Sequence, residues 1–346
     1  MAVDKGETTC HAKRIALFIF LRVLSYTPRT RSNEATTPPL VQEVLIKMPS
    51  DTYDAAKLYT TGSVMSKDGT TIGYRQLGSG PSIILLHGGA NASQNYSKLG
   101  AALSDVFSVC IPDRRGRGLS GPFGKNYSMR KEIEDVDALL TKTGAHNIFG
   151  LSSGGLIALQ AALELPTIHK AVINEPPLDV DNSIITMMQS FMPRFDREIA
   201  EGRVAEAMVT LLKDFGGIFL PGYLQPLVTI TPRVMLVGLF SWVLRRDAQH
   251  VKGDDVPLRE LMRTFHFDYQ LVVEMQGTLE SFKAVPADVL LLGASESPAF
   301  LTHTLDALEN VIPHVHRVEM QGLGHGAALD GGKPERVAQE LRRFFL

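Results

Sequence analysis

The sequence predicts an α/β protein: a doubly wound, mostly parallel sheet with helices on both faces and an inserted all-helical segment. Three observations predict it. Apolar strand-like runs recur at 82–86, 106–111, 147–149, 171–173 and 289–292, with a further strand at 316–319. Continuous apolar runs of this length suit strands buried on both sides, as parallel sheets require. Helix-like stretches at 94–103, 129–143, 155–165, 300–309 and 334–345 separate most of them, and that alternation lays helices over both faces. From about 178 to 284 the rhythm breaks into helical periodicity with no convincing strand.

Taken in order, residues 1–60 read as a partly disordered N-terminal extension. Ile15 to Leu21 is apolar and follows Lys13 and Arg14, but Arg22 ends it, so it is too short to span a bilayer. Ser25-Tyr26-Thr27-Pro28 is a poor cleavage site, and Asp4 and Glu7 do not suit a mitochondrial presequence. A short amphipathic or membrane-touching helix is the simpler reading. Thr36-Thr37-Pro38-Pro39 resembles a linker, and 48–61 has room for a short helix. Runs 64–66 and 72–75 then form a hairpin around Lys67-Asp68-Gly69-Thr70, whose Asp-Gly pair suits a tight turn. Residues 61–177 and 285–346 make up the core, and 178–284 a helical cap laid over one edge of the sheet. Within that block the helices fall at 184–192, 195–215, 232–245 and 258–282. It holds Met187, Met188, Met192, Met208, Met235, Met262 and Met275, from a total of 12 methionines. Methionine suits an irregular apolar cavity, and equally fills a helical core.

Composition excludes several classes. With 44% hydrophobic and 21% charged residues the chain is ordinary for a globular protein, and a net charge of −2 offers no electrostatic case for nucleic acid or an anionic membrane. Its two cysteines, Cys10 and Cys110, lie in a polar tail and an apolar strand. That argues against a disulfide framework and mildly favours a cytoplasmic location. Asn91-Ala92-Ser93 and Asn126-Tyr127-Ser128 match the glycosylation sequon and read as silent.

Gly150-Leu151-Ser152-Ser153-Gly154 carries the chemistry. It follows a strand and opens a helix, the arrangement that holds a serine hydroxyl clear of a sheet. A hydroxyl is a poor nucleophile at neutral pH, so it needs a base within reach and a third group to orient that base. Gly116-x-Gly118-x-x-Gly121 also fits a dinucleotide fingerprint, yet Pro122 and Gly124 prolong the loop where that fingerprint must open a helix. No cofactor is expected. His314 and His316 lack a third ligand, so no metal is expected either.

Four ordered pieces together resemble the α/β-hydrolase superfamily, from about residue 62 to the C-terminus. They are His87-Gly88-Gly89-Ala90, similar to the family's oxyanion loop; Asp113-Arg114-Arg115-Gly116-Arg117-Gly118-Leu119-Ser120, similar to D-x-R-G-x-G-x-S; the Ser152 turn; and Gly322-Leu323-Gly324-His325-Gly326, similar to the histidine loop. The resemblance implies Ser152 as nucleophile and His325 as general base, with His87 supporting its loop. Backbone N–H groups of Ser153 and Gly89, or Ala90 in place of Gly89, would bind the oxyanion. It implies Glu296, just past the 289–292 strand, as the acid, and the order Ser152, Glu296, His325 fits the fold. Glu175, at the end of the preceding strand, is the alternative acid, or else an N–H acceptor at the mouth of the insertion.

The resulting expectation is a serine hydrolase cleaving a carboxylic ester or related acyl bond of a small hydrophobic substrate. Carbon–carbon hydrolysis and cofactor-free perhydrolysis use the same triad. A non-catalytic small-molecule-binding protein on this fold is the alternative from another class.

Overall fold

The computed structural model describes residues 59–215 and 225–346. Eight strands form one sheet: β1 (Thr60–Met65), β2 (Thr71–Leu77), β3 (Ser82–Leu86), β4 (Ser108–Pro112), β5 (Asn147–Leu151), β6 (Lys170–Asn174), β7 (Asp288–Ala294) and β8 (Val315–Met320). Their order is β1-β2-β4-β3-β5-β6-β7-β8. β1, β2 and β4 pair antiparallel, and every pair from β4 through β8 is parallel. The hairpin expected around Asp68-Gly69 forms, with the Thr70 N–H donating to Asp68 Oδ1 at 3.0 Å and Gly69 at φ 83°. Thr60 and Thr61 belong to β1 rather than to a helix. The readings of the apolar 15–21 run, the 36–39 linker and Cys10 lie outside the described residues.

Side-chain alternation along buried strands splits the core between two faces. Ile83 and Leu85 of β3 join Leu99, Leu103, Val337 and Leu341, from helices α1 (Ser97–Leu103) and α11 (Pro334–Phe345). Ile84 and Leu86 face the other way, toward α2 (Met129–Thr143), α3 (Ser153–Glu164) and α10 (Ala299–Glu309). β3 therefore sits between β4, reached through α1 on one face, and β5, reached through α2 on the other. That reversal is a topological switch point, and such sheets bind ligands at the strands' C-terminal ends there.

Between β6 and β7 lie α4 (Ser183–Ala200), α5 (Val204–Asp214), α6 (Gln225–Ile230), α7 (Arg233–His250), α8 (Leu258–Arg263) and α9 (Phe265–Glu274). No strand occurs among the described residues of this insertion. The single helix expected over 195–215 is broken at Gly202, φ 74°, and the one over 258–282 ends before Gly277, φ 74°. Both glycines adopt the left-handed conformation that stops helices. In α7 only Leu236 and Leu244 are buried, while Val234, Leu239 and Trp242 stay exposed. The all-round apolar pattern there does not translate into burial, because α7 packs mainly along α5.

Candidate active site

The Ser152 turn follows from close approach of backbone. Ser152 lies between β5 and α3 with φ 56° and ψ −123°, a conformation costly for any residue with a Cβ. Its N–H donates to the Asn174 carbonyl of neighbouring β6 at 2.9 Å, which fixes the turn to the sheet. A Cβ on Gly150 would stand 2.1 Å from the Gly154 carbonyl oxygen, and one on Gly154 would stand 2.5 Å from that of His87. Only glycine fits at either position.

Two more non-glycine residues at the same sheet edge have positive φ: Ala90 at 51° and Glu175 at 46°. Strain at three points along one end of the sheet is the pattern expected of a functional site held by its surroundings. The left-handed turn at Glu175 directs its carboxylate across the end of β6. Its Oε1 accepts the Ala294 N–H of β7 at 2.8 Å, and its Oε2 lies 2.7 Å from His325 Nδ1. Both side chains are almost fully buried, at 2% and 1% exposed. A carboxylate only accepts, so Nδ1 is the donor in this contact.

The structure places Glu175 against His325, and not Glu296, the acid preferred from sequence. Glu296 is exposed, its backbone N–H bonds the Leu323 carbonyl, and its carboxylate makes no hydrogen bond among the described residues. The turn after β7 folds back toward the histidine loop through its backbone and turns this side chain to solvent. Glu175 reaches the imidazole instead, and the N–H-acceptor reading of that residue also holds, through its other oxygen.

Ser152 and His325 line one cavity with Gly88, Gly89, Asn91, Ser153, Asp268 and Tyr269. Its remaining walls are largely apolar and include Met188, Phe215, Phe265, Val272 and Leu301 from the insertion and α10. Of the insertion's methionines only Met188 reaches this cavity, whereas Met192, Met262 and Met275 fill core. Ser153 opens α3, so its N–H has no acceptor within the helix. Gly89 faces the cavity, whereas the Ala90 N–H points to Asp268 Oδ2 at 3.4 Å. Of the two, Gly89 lines the cavity and Ala90 does not.

His87 is fully buried. Its Nε2 accepts the Arg114 N–H at 3.1 Å, and Nδ1 lies 3.0 Å from the Gly88 carbonyl. Burial, with the Arg117 and Arg114 cations beside it, holds its pKa well below the ordinary imidazole value. It is a neutral brace for the loop, with no nitrogen left for base work.

The glycine pattern at Gly116, Gly118 and Gly121 sits in an irregular loop, and α2 opens only at Met129. That loop has no helix N-terminus for a pyrophosphate. No cluster of three or more His, Cys, Asp or Glu side chains suited to a metal occurs among the described residues.

Sequence reasoning missed a buried charge network beneath the 87–90 loop. Arg114 pairs with Glu132 at 2.9 Å and with Asp268 at 2.8 Å. Arg117 also pairs with Asp268, at 2.7 Å. Tyr127 donates its hydroxyl proton to Glu132 at 2.6 Å. The D-x-R-G-x-G-x-S match pointed to this loop, but no pattern in the helical insertion singled out Asp268, 154 residues from Arg114.

Comparison with known proteins agrees with this fold. A family model described as alpha/beta hydrolase fold matches residues 81–332. A cis-3-alkyl-4-alkyloxetan-2-one decarboxylase of Shewanella oneidensis is 24% identical over 290 residues, covering 81% of this chain and 86% of that protein. An alpha/beta hydrolase from Sphaerobacter thermophilus superposes with a TM-score of 0.65 at 27% identity, covering 82% of this chain and all of that one (100%). The esterase RhEst1 from a Rhodococcus species gives 0.58 at 21% identity, covering 82% and 98%. No helix among the described residues is long and apolar enough to cross a membrane. With the eight-stranded sheet, its switch point and the residues gathered there, the family match establishes that this chain belongs to the α/β-hydrolase family.

Proposed function

We propose that the protein is a serine hydrolase of small, largely apolar acyl compounds, carboxylic esters foremost, acting through Ser152, His325 and Glu175. The carrying observation is the buried Glu175–His325 contact beside a strained Ser152 on the same cavity wall. Ser152 Oγ attacks the acyl carbon while His325 Nε2 takes its proton, and Glu175 stabilises the imidazolium that results. The N–H groups of Ser153 and Gly89 receive the charge that develops on the carbonyl oxygen. His325 then returns the proton to the departing alcohol. A water, deprotonated by the same imidazole, attacks the acyl-enzyme; the acyl–Oγ bond breaks, His325 passes that proton to Oγ, and the acid and free Ser152 are released.

The apolar walls from the helical insertion support an apolar acyl or alcohol group, with the insertion acting as a cap that sets substrate size. The Shewanella relative acts on an oxetan-2-one, itself a cyclic ester, so alkyl β-lactones belong beside p-nitrophenyl esters in a substrate panel. The test is turnover of that panel, with fluorophosphonate labelling, by wild type and Ser152→Ala. Turnover and labelling lost in the variant support the reading; a wild type that neither turns over nor labels refutes it and favours the ligand-binding alternative.

A further inference from the structure

Asp268 is carried by α9 of the helical insertion, yet its carboxylate lies inside the core beneath the oxyanion loop and is 3% exposed. Its Oδ1 accepts the Ser153 hydroxyl at 2.9 Å and Arg114 Nη1 at 2.8 Å. Its Oδ2 accepts Arg117 Nη2 at 2.7 Å and faces the Ala90 N–H at 3.4 Å. The Asp268 carboxyl carbon also lies 3.2 Å from where a Cβ on Gly89 would stand. One side chain from the insertion therefore touches both segments that carry the oxyanion donors, the loop after β3 and the start of α3.

A bare carboxylate at this place would repel a developing oxyanion. Two guanidinium groups cancel it, and Glu132 balances the second of them, so the cluster is neutral as a whole and still stiff. Burial alone pushes the Asp268 carboxyl up, but Arg117, Arg114 and the Ser153 hydroxyl together draw its pKa below the ordinary carboxylate value. It stays ionised and able to accept from all four donors. The proposed catalytic steps do not call on it.

We infer that Asp268 is a positioning residue which couples the seating of the helical insertion to the shape of the oxyanion site. When the insertion is docked, Gly89 and Ser153 are held with their N–H groups convergent; when it lifts, the loop around Ala90 and the Ser153 side chain both lose their common anchor. Turnover is thus licensed by closure of the insertion. This inference rests on the acyl-transfer reading above for its kinetic consequence, but not for its structural one.

The test compares Asp268→Asn with Asp255→Asn. Asp255 also ties the insertion to the sheet, through Arg75 at 2.7 Å, but unlike Asp268 it does not line the cavity. For the p-nitrophenyl ester that the wild type turns over best, Asp268→Asn is expected to lower kcat about 10- to 100-fold with KM changed less than about threefold, the mark of an interaction made in the transition state. Asp255→Asn is expected to keep kcat within about twofold. Hydrogen–deuterium exchange of peptides covering 87–92 should quicken in Asp268→Asn and not in Asp255→Asn. Equal kcat losses in the two variants, or unchanged exchange at 87–92, overturn the inference. If Asp268→Asn does not fold, Asp268→Glu, which keeps the charge and displaces the oxygens by one methylene, is read by the same two measurements. If the wild type turns over no acyl compound, the hydrolase reading fails separately and the exchange comparison alone decides the role of Asp268.

Discussion

Glu175 Oε2 and His325 Nδ1 lie 2.7 Å apart although 150 residues separate them. Their meeting depends on the sheet, not on the chain. β6 pairs with β5 on one side and β7 on the other, so the residue after β6 stands between the Ser152 turn and the His325 loop. The Ser152 N–H on the Asn174 carbonyl and the Ala294 N–H on Glu175 pin that residue from both sides.

Exchanging the two candidate acids separates their roles. Glu175→Gln keeps the shape but no longer holds an imidazolium, and should lower kcat by about 10²- to 10⁴-fold. Glu296→Gln, altering a solvent-facing side chain, should leave kcat within about twofold. Steady-state hydrolysis of one p-nitrophenyl ester by both variants checks this, and the reverse ranking would reinstate Glu296.

Strain at Ser152, the proposed nucleophile, sets function against stability. Ser152 holds φ 56°, a conformation glycine adopts freely, so Ser152→Gly should abolish turnover while raising stability by about 1 kcal/mol. Ser152→Ala should abolish turnover without that gain, since it keeps the Cβ. Urea denaturation midpoints of the three proteins give the comparison; a destabilised Ser152→Gly would contradict the strain assigned here.

Two glycines should respond very differently to alanine. At Gly154 the new Cβ would lie 2.5 and 2.6 Å from the His87 and Leu86 carbonyl oxygens, and the backbone of β3 has nowhere to retreat. Gly154→Ala should cost about 3 kcal/mol or more, with loss of soluble protein or a much lower Tm. Gly144, at φ 65° with nothing near its missing Cβ, carries only the left-handed cost, about 1 kcal/mol. Thermal melts of both variants measure the difference.

Asp330 gives the fold a pH dependence of definite sign. Its carboxylate accepts the Lys98 N–H at the start of α1 at 2.8 Å, and burial pushes its pKa up to about 6 from 3.8. Between those two values the folded state binds more proton than the unfolded one, so this group's contribution falls as pH rises through that window and stays low above about 6. Asp330→Asn removes the charge and keeps an acceptor oxygen. The Tm of the variant minus that of wild type should therefore increase from pH 4 to pH 7, and a flat difference would show that Asp330 is not so perturbed.

Much of this architecture is legible along the chain. The strand at 82–86 and the helices at 129–143 and 334–345 fall where apolar periodicity places them, because burial imposes that periodicity residue by residue. Ser152, His325 and Gly89 are likewise flagged by glycine patterns that tight turns require. The helical insertion is less legible. Its helices break at Gly202 and Gly277, and α7 leaves apolar residues in solvent, because packing between helices decides which faces are covered.

The sequence by itself determined the layered fold, the order of its strands and helices, and the turns that present a serine and a histidine. The tertiary structure decided which carboxylate meets His325, which of Gly89 and Ala90 lines the cavity, and that Asp268 reaches under the 87–90 loop. Local patterns record what each segment needs from its nearest neighbours along the chain. A hydrogen bond between distant side chains depends on strand order and helix seating, which no single segment encodes.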